Sequence, residues 1–120
     1  MSKTILVVDD SASVRQVVSM SLKSQGYQVI DAVDGMDALK KIEGQKINLI
    51  VSDVNMPNMD GITFVKTLKA KPEYRFTPVL MLTTESEESK KAEGKAAGAK
   101  AWLVKPFKPD VLLSAVAKLA

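Results

Sequence analysis

The sequence contains no cysteine and no histidine among its 120 residues. The absence of cysteine excludes disulfide bonds, thiolate nucleophiles and thiolate metal sites. The absence of histidine excludes Ser-His and Cys-His catalytic pairs, imidazole zinc sites and a phosphohistidine formed on this chain. Any chemistry on this chain therefore depends on carboxylates, hydroxyls and lysines.

Aromatic residues make up only 5% of the chain, and no apolar run is much longer than a strand. We therefore expect no contact with a membrane, no signal peptide and a cytoplasmic location. The net charge is +3, but residues 1–60 carry 6 basic and 8 acidic side chains, whereas residues 61–120 carry 11 basic and 6 acidic. This is not the clustered basic stripe of a nucleic-acid-binding protein, so we expect no direct binding to nucleic acid.

Short apolar runs alternate with helical stripes along the chain, and its length suits a single domain. Runs of strand length occur at residues 5–8, 27–33, 47–51, 79–82 and 101–104. Continuous runs of this kind are typical of strands buried on both faces. Between them, apolar residues recur at helical spacing, as in Val14, Val18 and Leu22. The pattern predicts one α/β domain over residues 1–120, with a parallel sheet covered on both faces.

The segment 85–98 differs from the other predicted helices because its only apolar side chains are alanines. Thr84 and Glu87 could form a capping box at its start. Gly94 in its middle costs the helix about 0.5–1 kcal/mol relative to alanine. We therefore expect this helix to be the least anchored in the fold, and we expect Gly94→Ala to stabilise it.

Polar side chains end four of the predicted strands: Asp9-Asp10 the first, Asp53 the third, Thr83 the fourth and Lys105 the fifth. In a doubly wound sheet the ligand site lies at the carboxyl ends of the strands. Carboxylates that converge there repel one another unless a proton or a cation offsets their charge. Mg²⁺ suits such a set of oxygen ligands, and a carboxylate beside Mg²⁺ with a lysine opposite is a layout for phosphoryl transfer.

Each of these residues also fits an ordinary structural role. Asp9-Asp10 and Thr83 precede predicted helices and could serve as caps, Asp53 could form a turn, and Lys105 could lie in a surface ion pair. The functional interpretation depends on their joint placement at one edge of the sheet.

Four segments together resemble the response-regulator receiver family, and most of all its single-domain chemotaxis (CheY-like) members. The segments are Val7 to Ser11, Ser52 to Gly61, Thr83 to Glu85 and Lys105 to Phe107. The resemblance extends over essentially the whole chain. It implies a flavodoxin-like (βα)5 doubly wound fold with strand order 2-1-3-4-5. It also implies a switch of a two-component phosphorelay, which takes part in its own phosphorylation and dephosphorylation but is not otherwise an enzyme.

The resemblance assigns the phosphoacceptor and the metal ligands. Asp53 would accept the phosphoryl group. Asp10, Asp53 and the main-chain carbonyl of Asn55 would ligate Mg²⁺ directly, and Asp9 would act through a metal-bound water.

The resemblance also assigns the residues around the phosphoryl group. Lys105 and Thr83 would contact its oxygens, and the Lys105-Pro106 peptide bond would be cis. Thr83 and Trp102 would form the switch, although tyrosine or phenylalanine is usual at the position of Trp102. Asn55 and Glu85 would tune the rate of dephosphorylation.

The partners that the resemblance implies are a histidine kinase as phosphodonor, a phosphatase, and an output protein. The output protein would bind the face of the fourth helix, fifth strand and fifth helix, and the chain would be a monomer. Other interpretations stay open. The chain could be the receiver part of a larger DNA-binding regulator, or a scaffold, although a scaffold leaves the acidic residues unexplained. An aspartyl-phosphate phosphatase is disfavoured, because its general acid would fall at Asn55.

Overall fold

A five-stranded parallel sheet with helices on both faces forms the fold of the computed structural model, which describes residues 3–54, 56, 59–83 and 91–120. The strands are β1 (Thr4–Val8), β2 (Gln28–Ala32), β3 (Leu49–Asp53), β4 (Val79–Thr83) and β5 (Ala101–Val104). The helices are α1 (Ala12–Ser24), α2 (Gly35–Lys41), α3 (Gly61–Lys69), α4 (Lys91–Ala97) and α5 (Pro109–Leu119). The strand order β2-β1-β3-β4-β5 confirms the predicted flavodoxin-like topology.

The apolar runs are continuous because alternate side chains of the central strands enter two different cores. In β1, Leu6 and Val8 lie in a core with residues of α2 and α3, such as Phe64. Ile5 and Val7 lie in a second core with residues of α1 and α5, such as Leu112. All four of these β1 side chains are fully buried. A strand covered on both faces has no polar position, which is the pattern seen in the sequence.

The third strand is displaced from its apolar run, and this displacement matters for the site. The run begins at Ile47, but β3 begins at Leu49 and continues through Ser52 and Asp53. Ser52 lies beside Val8 of β1, and Asp53 lies beside Leu82 of β4. The neighbouring strands thus extend β3 into polar residues, and Asp53 becomes its last residue.

Helix α1 is capped by Ser11 rather than by the two preceding aspartates. The side chain of Ser11 accepts a hydrogen bond from the amide of Val14 at 3.4 Å. Asp60 caps α3 in the same manner, with its Oδ1 2.8 Å from the amide nitrogen of Thr63. Asp9 and Asp10 are therefore not the N-cap of the helix that follows them, and the structure removes this simple explanation for their presence.

Gly94 in α4 lies against the indole ring of Trp102 on β5. A Cβ atom added at Gly94 would lie 2.2 Å from Cζ2 and 2.5 Å from Cη2 of that ring. The expectation that Gly94→Ala would simply stabilise the helix is therefore wrong, because no Cβ fits while the ring keeps its place. The capping box predicted at Thr84 and Glu87, like the start of the predicted helix 85–98, lies outside the described residues.

Gly94→Ala is instead expected to lower the free energy of unfolding by about 1 kcal/mol, because overpacking outweighs the gain in helix propensity. In a Trp102→Leu background, which lacks the ring, the same change should stabilise the protein by about 0.5–1 kcal/mol. Urea denaturation of the four variants of this cycle provides the measurement. Stabilisation of equal size in both backgrounds would contradict the steric explanation.

Within the described part of the chain, no helix is long and apolar enough to cross a bilayer.

Candidate functional site

The carboxyl ends of β1 and β3 bring Asp9, Asp10 and Asp53 together. One carboxylate oxygen from each of the three residues lies within 4.8 Å of the other two. Asp9 is fully buried and Asp53 is 4% exposed, whereas Asp10 faces solvent. The convergence expected from the strand ends is therefore present, with two buried carboxylates and one accessible carboxylate.

Lys105 lies directly after β5 and reaches across the edge of the sheet to the acidic cluster. Its Nζ is 2.9 Å from Oδ2 of Asp9 and 3.2 Å from Oδ1 of Asp53. Burial alone would lower the pKa of Lys105, but the hydrogen bond to Asp9 and the charges of Asp53 and Asp9 outweigh it and raise that pKa. Lys105 is therefore a fixed cation at the site. Its peptide bond to Pro106 is cis, as predicted.

Asp53 is a weak acid in this environment. Burial, and then the charge of Asp9, raise the pKa of Asp53 to about 7, although Lys105 opposes the change. The main-chain amide of Val54 donates a hydrogen bond to Oδ1 of Asp53 at 2.9 Å. Near neutral pH the metal-free cluster is thus under electrostatic stress that one further cation would relieve.

Main-chain and side-chain donors fix the position of Asp9. The amide of Ser11 donates to its Oδ1 at 2.9 Å, and Nη1 of Arg15 donates to its main-chain carbonyl at 2.8 Å. Arg15 also lies near Asp31 of β2, with Nε 3.4 Å from Oδ2. The sequence carries no signal of the contact between Arg15 and Asp9, because a position in α1 does not reveal that its side chain reaches a strand end.

Gly61 is a second residue that supports the site. Its amide donates to the carbonyl of Val54 at 2.7 Å. A Cβ atom there would lie 2.0 Å from the main-chain oxygen of Asp53. The absence of a side chain thus lets α3 begin directly against the backbone of the candidate phosphoacceptor. The only signal in the sequence is the Asp60-Gly61 pair.

The remaining predicted site residues lie around this cluster or outside the described residues. Thr83 is fully buried at the end of β4. Trp102 is the second residue of β5 and lies beside Met81 of β4. Its indole N–H is buried without a hydrogen-bond partner among the described residues. Asn55 and Glu85 are outside the described part of the chain, so the structure does not place them.

The donor set fits a hard divalent cation. Carboxylate oxygens are the ligands that Mg²⁺ takes in proteins, and it usually keeps several waters. Asp10 offers an accessible oxygen, while Asp53 and Asp9 offer buried ones. The three carboxylates exceed the charge of Lys105, so an additional cation is electrostatically favourable.

The family model of the response regulator receiver domain matches residues 5–117. The chain therefore belongs to the response regulator receiver family. It is a receiver domain of a two-component system, and receiver domains are signalling switches that take phosphate from histidine kinases.

Individual relatives agree with this assignment. The chain is similar over its full length to the structure of the Vibrio cholerae chemotaxis protein CheY4, with 49% identity, 100% coverage of both chains and a TM-score of 0.95. It is 45% identical over 91% of its length to the alkaline phosphatase synthesis transcriptional regulatory protein PhoP of Bacillus subtilis. The chain spans only 45% of the length of PhoP.

A structural relative carries the metal that the donor set suggests. The receiver domain of a sensor histidine kinase from Pseudomonas aeruginosa is 28% identical, with a TM-score of 0.90 and coverage of 99% and 98% of the two chains. Its structure has a magnesium ion coordinated in the active-site cleft. The acidic cluster of the present chain is the corresponding candidate for a metal site.

Proposed function

We propose that this receiver domain accepts a phosphoryl group on Asp53 from a histidine kinase, in a pathway of the chemotaxis type. The observation that carries the proposal is the contact of Lys105 with Asp53 at 3.2 Å inside the cluster of three carboxylates. A buried carboxylate beside a fixed ammonium and two potential metal ligands is the arrangement required for nucleophilic attack on phosphorus.

In the proposed reaction, a carboxylate oxygen of Asp53 forms a bond to phosphorus as the bond from phosphorus to the kinase histidine breaks. The electron pair of that bond returns to the imidazole nitrogen. Oδ1 of Asp53 is already held by the Val54 amide, which favours Oδ2 as the attacking oxygen. Lys105 then offsets charge on the equatorial phosphoryl oxygens, and the Thr83 hydroxyl donates to one of them.

Asp10, Asp53 and the Asn55 carbonyl are proposed to hold Mg²⁺ directly, with Asp9 acting through water. The bound ion would neutralise charge on the phosphoryl oxygens and on the carboxylates. Asp9 has a second task that needs no metal, since its Oδ2 holds Lys105 at 2.9 Å.

Millimolar Mg²⁺ is expected to raise the melting temperature of the protein. An ion that binds only the folded state stabilises it by about 2.7 kcal/mol at one hundred times its Kd. Thermal unfolding with Mg²⁺ and with EDTA measures the effect. Asp10→Asn should remove most of it, while Asp60→Asn, which keeps a capping side chain on α3, should not. An unchanged melting temperature in the native protein would contradict the proposed metal site.

Asp53→Asn is expected to abolish labelling by acetyl phosphate in the presence of Mg²⁺, since the nucleophilic oxygen is lost. Intact-protein mass spectrometry measures the added phosphoryl group, and Asp60→Asn serves as the matched control that should still be labelled. Full labelling of Asp53→Asn would overturn the assignment of the phosphoacceptor.

The output of the switch is proposed to pass through Thr83 and Trp102 to the face of α4, β5 and α5, where a partner protein binds. This proposal rests on the resemblance and on the contact between α4 and the Trp102 ring. Asn55 and Glu85 are proposed to tune dephosphorylation, either alone or with a phosphatase. Residues 1–120 are proposed to form one domain, which agrees with the full-length similarity to CheY4. This domain is also proposed to be monomeric and cytoplasmic.

A second candidate is the receiver part of a larger DNA-binding regulator. The similarity to PhoP, of which the chain spans 45%, favours this alternative. The length of the intact reading frame distinguishes it from a single-domain regulator.

A further inference from the structure

A cleft rich in basic residues lies at the opposite edge of the sheet from Asp53. It has a volume of about 520 Å³ and is lined by the ends of α3 and α4 and by the segments that lead into β4 and β5. The cleft lies at the beginnings of β4 and β5, because the amide of Lys100, just before β5, donates to the carbonyl of Val79, the first residue of β4, at 2.9 Å. Four lining residues are cationic, and they define what we call the basic cleft: Lys69, Arg75, Lys95 and Lys100.

The positive charge of the basic cleft is not compensated within the described part of the chain. Among the described residues, no acidic side chain lines it and no ion pair includes any of its four cations. Burial, and then the charge of Lys100, lower the pKa of Lys69. The cleft therefore contributes directly to the excess of basic residues in the second half of the chain.

Helix dipoles explain only part of this cluster. Lys69 and Lys95 lie in the last turns of α3 and α4, where a cation is favourable. Lys69 also donates to the carbonyls of Arg75 and Thr77. Arg75 and Lys100 belong to connecting segments and are exposed, so neither a helix end nor a carboxylate accounts for their charge.

An exposed aromatic ring borders the basic cleft. Phe76 is 89% exposed, and it lines both this cleft and a neighbouring one of about 590 Å³. The nearby Tyr74 anchors the segment that carries Phe76, because its hydroxyl lies 2.7 Å from the carbonyl oxygen of Ile42 and 2.9 Å from that of Gln45 and can donate to either. Aromatic side chains and arginine are enriched at protein interfaces, and arginine is common among the residues that contribute most to binding.

We propose that the basic cleft and Phe76 bind an acidic segment of a partner protein that carries an apolar side chain. Carboxylates of the segment would pair with Arg75 and Lys100, and its apolar side chain would cover the Phe76 ring. The cations surround a concave volume, which suits side chains better than the surface of a bilayer or a DNA duplex. Because the cleft and Asp53 lie at opposite edges of the sheet, the bound segment would not contact the phosphoacceptor, and we expect the unphosphorylated protein to bind it.

The proposal can be tested with ¹⁵N-labelled, unphosphorylated protein and a short synthetic peptide of aspartate and glutamate with one central leucine. We expect amide shift changes confined to the residues that line the cleft, and largest at Arg75, Phe76 and the segment 98–100. The double variant Arg75→Glu/Lys100→Glu should weaken binding at least about tenfold, and Phe76→Ser about fivefold, a loss that charge alone would not produce.

The matched control is Lys40→Glu/Lys108→Glu, which makes the same change in net charge at exposed residues outside the cleft. It should change affinity less than about twofold at moderate ionic strength, where distant charges are screened. Equal weakening by both double variants, or shift changes spread over the whole basic surface, would overturn the proposal. Tighter binding of a DNA duplex or of anionic lipid vesicles than of the peptide would overturn it as well.

Discussion

Replacing Gly61 with alanine is expected to lower the free energy of unfolding by about 3 kcal/mol, which is one of the largest effects in this chain. The added Cβ would lie 2.0 Å from the main-chain oxygen of Asp53 and 2.9 Å from Cε of Met81. The Met81 side chain can rotate away, but the backbone of β3 can make room for the Cβ only if Asp53 moves with it. Overpacking against a rigid neighbour costs about 1–3 kcal/mol or more.

Gly35→Ala is the matched control for this change. Both glycines are the first residue of a helix, and both are buried. A Cβ at Gly35 would lie 2.9–3.1 Å from atoms of the Met59 side chain. This flexible side chain can rotate away, unlike the backbone oxygen near Gly61. Urea denaturation should therefore show a loss of less than about 1 kcal/mol for Gly35→Ala. Similar losses for the two variants would show that the backbone contact of Gly61 is not the cause.

Asp53→Asn is expected to make the metal-free protein more stable near pH 8, on the order of 2 kcal/mol. Because its pKa is raised from 3.8 to about 7, Asp53 binds a proton more tightly in the folded than in the unfolded state. The contribution of Asp53 to the free energy of unfolding is therefore highest below about pH 4, and it is lost as the pH rises through about 7. Asparagine carries no charge and removes that fall.

Urea denaturation in EDTA between pH 4 and pH 8 measures this difference between the native protein and the variant. Ser52→Ala serves as a control at the preceding buried position, because it should shift stability without changing its pH dependence. If Asp53→Asn kept the native slope, Asp53 would not be the group with the raised pKa.

Much of the fold and the core of the site could be predicted from the sequence. The apolar runs identify the strands because a buried parallel strand has no polar position, and their alternation with helical stripes implies a parallel sheet. In such a sheet the carboxyl ends of the strands meet at one edge. The sequence alone therefore predicts that four side chains lie together: Asp9, Asp10, Asp53 and Lys105. The beginning of β3 at Leu49 does not follow from the apolar run, since pairing with β1 and β4 decides it.

The parts that the sequence did not reveal depend on contacts between distant elements. Gly61 approaches the Asp53 carbonyl across a turn, and Arg15 reaches back to Asp9 from α1. For Gly94, helix propensity alone gives the wrong expectation, because it describes a residue's preference for a helix and nothing about its neighbour in another element. Trp102 is only eight residues further along, yet no local rule predicts that its ring takes the space of a side chain at Gly94.

The close contact between Gly94 and Trp102 has an optical consequence. Trp102 is the only tryptophan of the chain, so its fluorescence can be excited selectively and assigned without mutation or labelling. Its indole nitrogen is buried and lies without a hydrogen-bond partner among the described residues, and indole emission depends strongly on the polarity around this group. Any displacement of α4 away from β5 would admit water to the ring. The protein thus contains an intrinsic reporter for the helix that is proposed to take part in signalling.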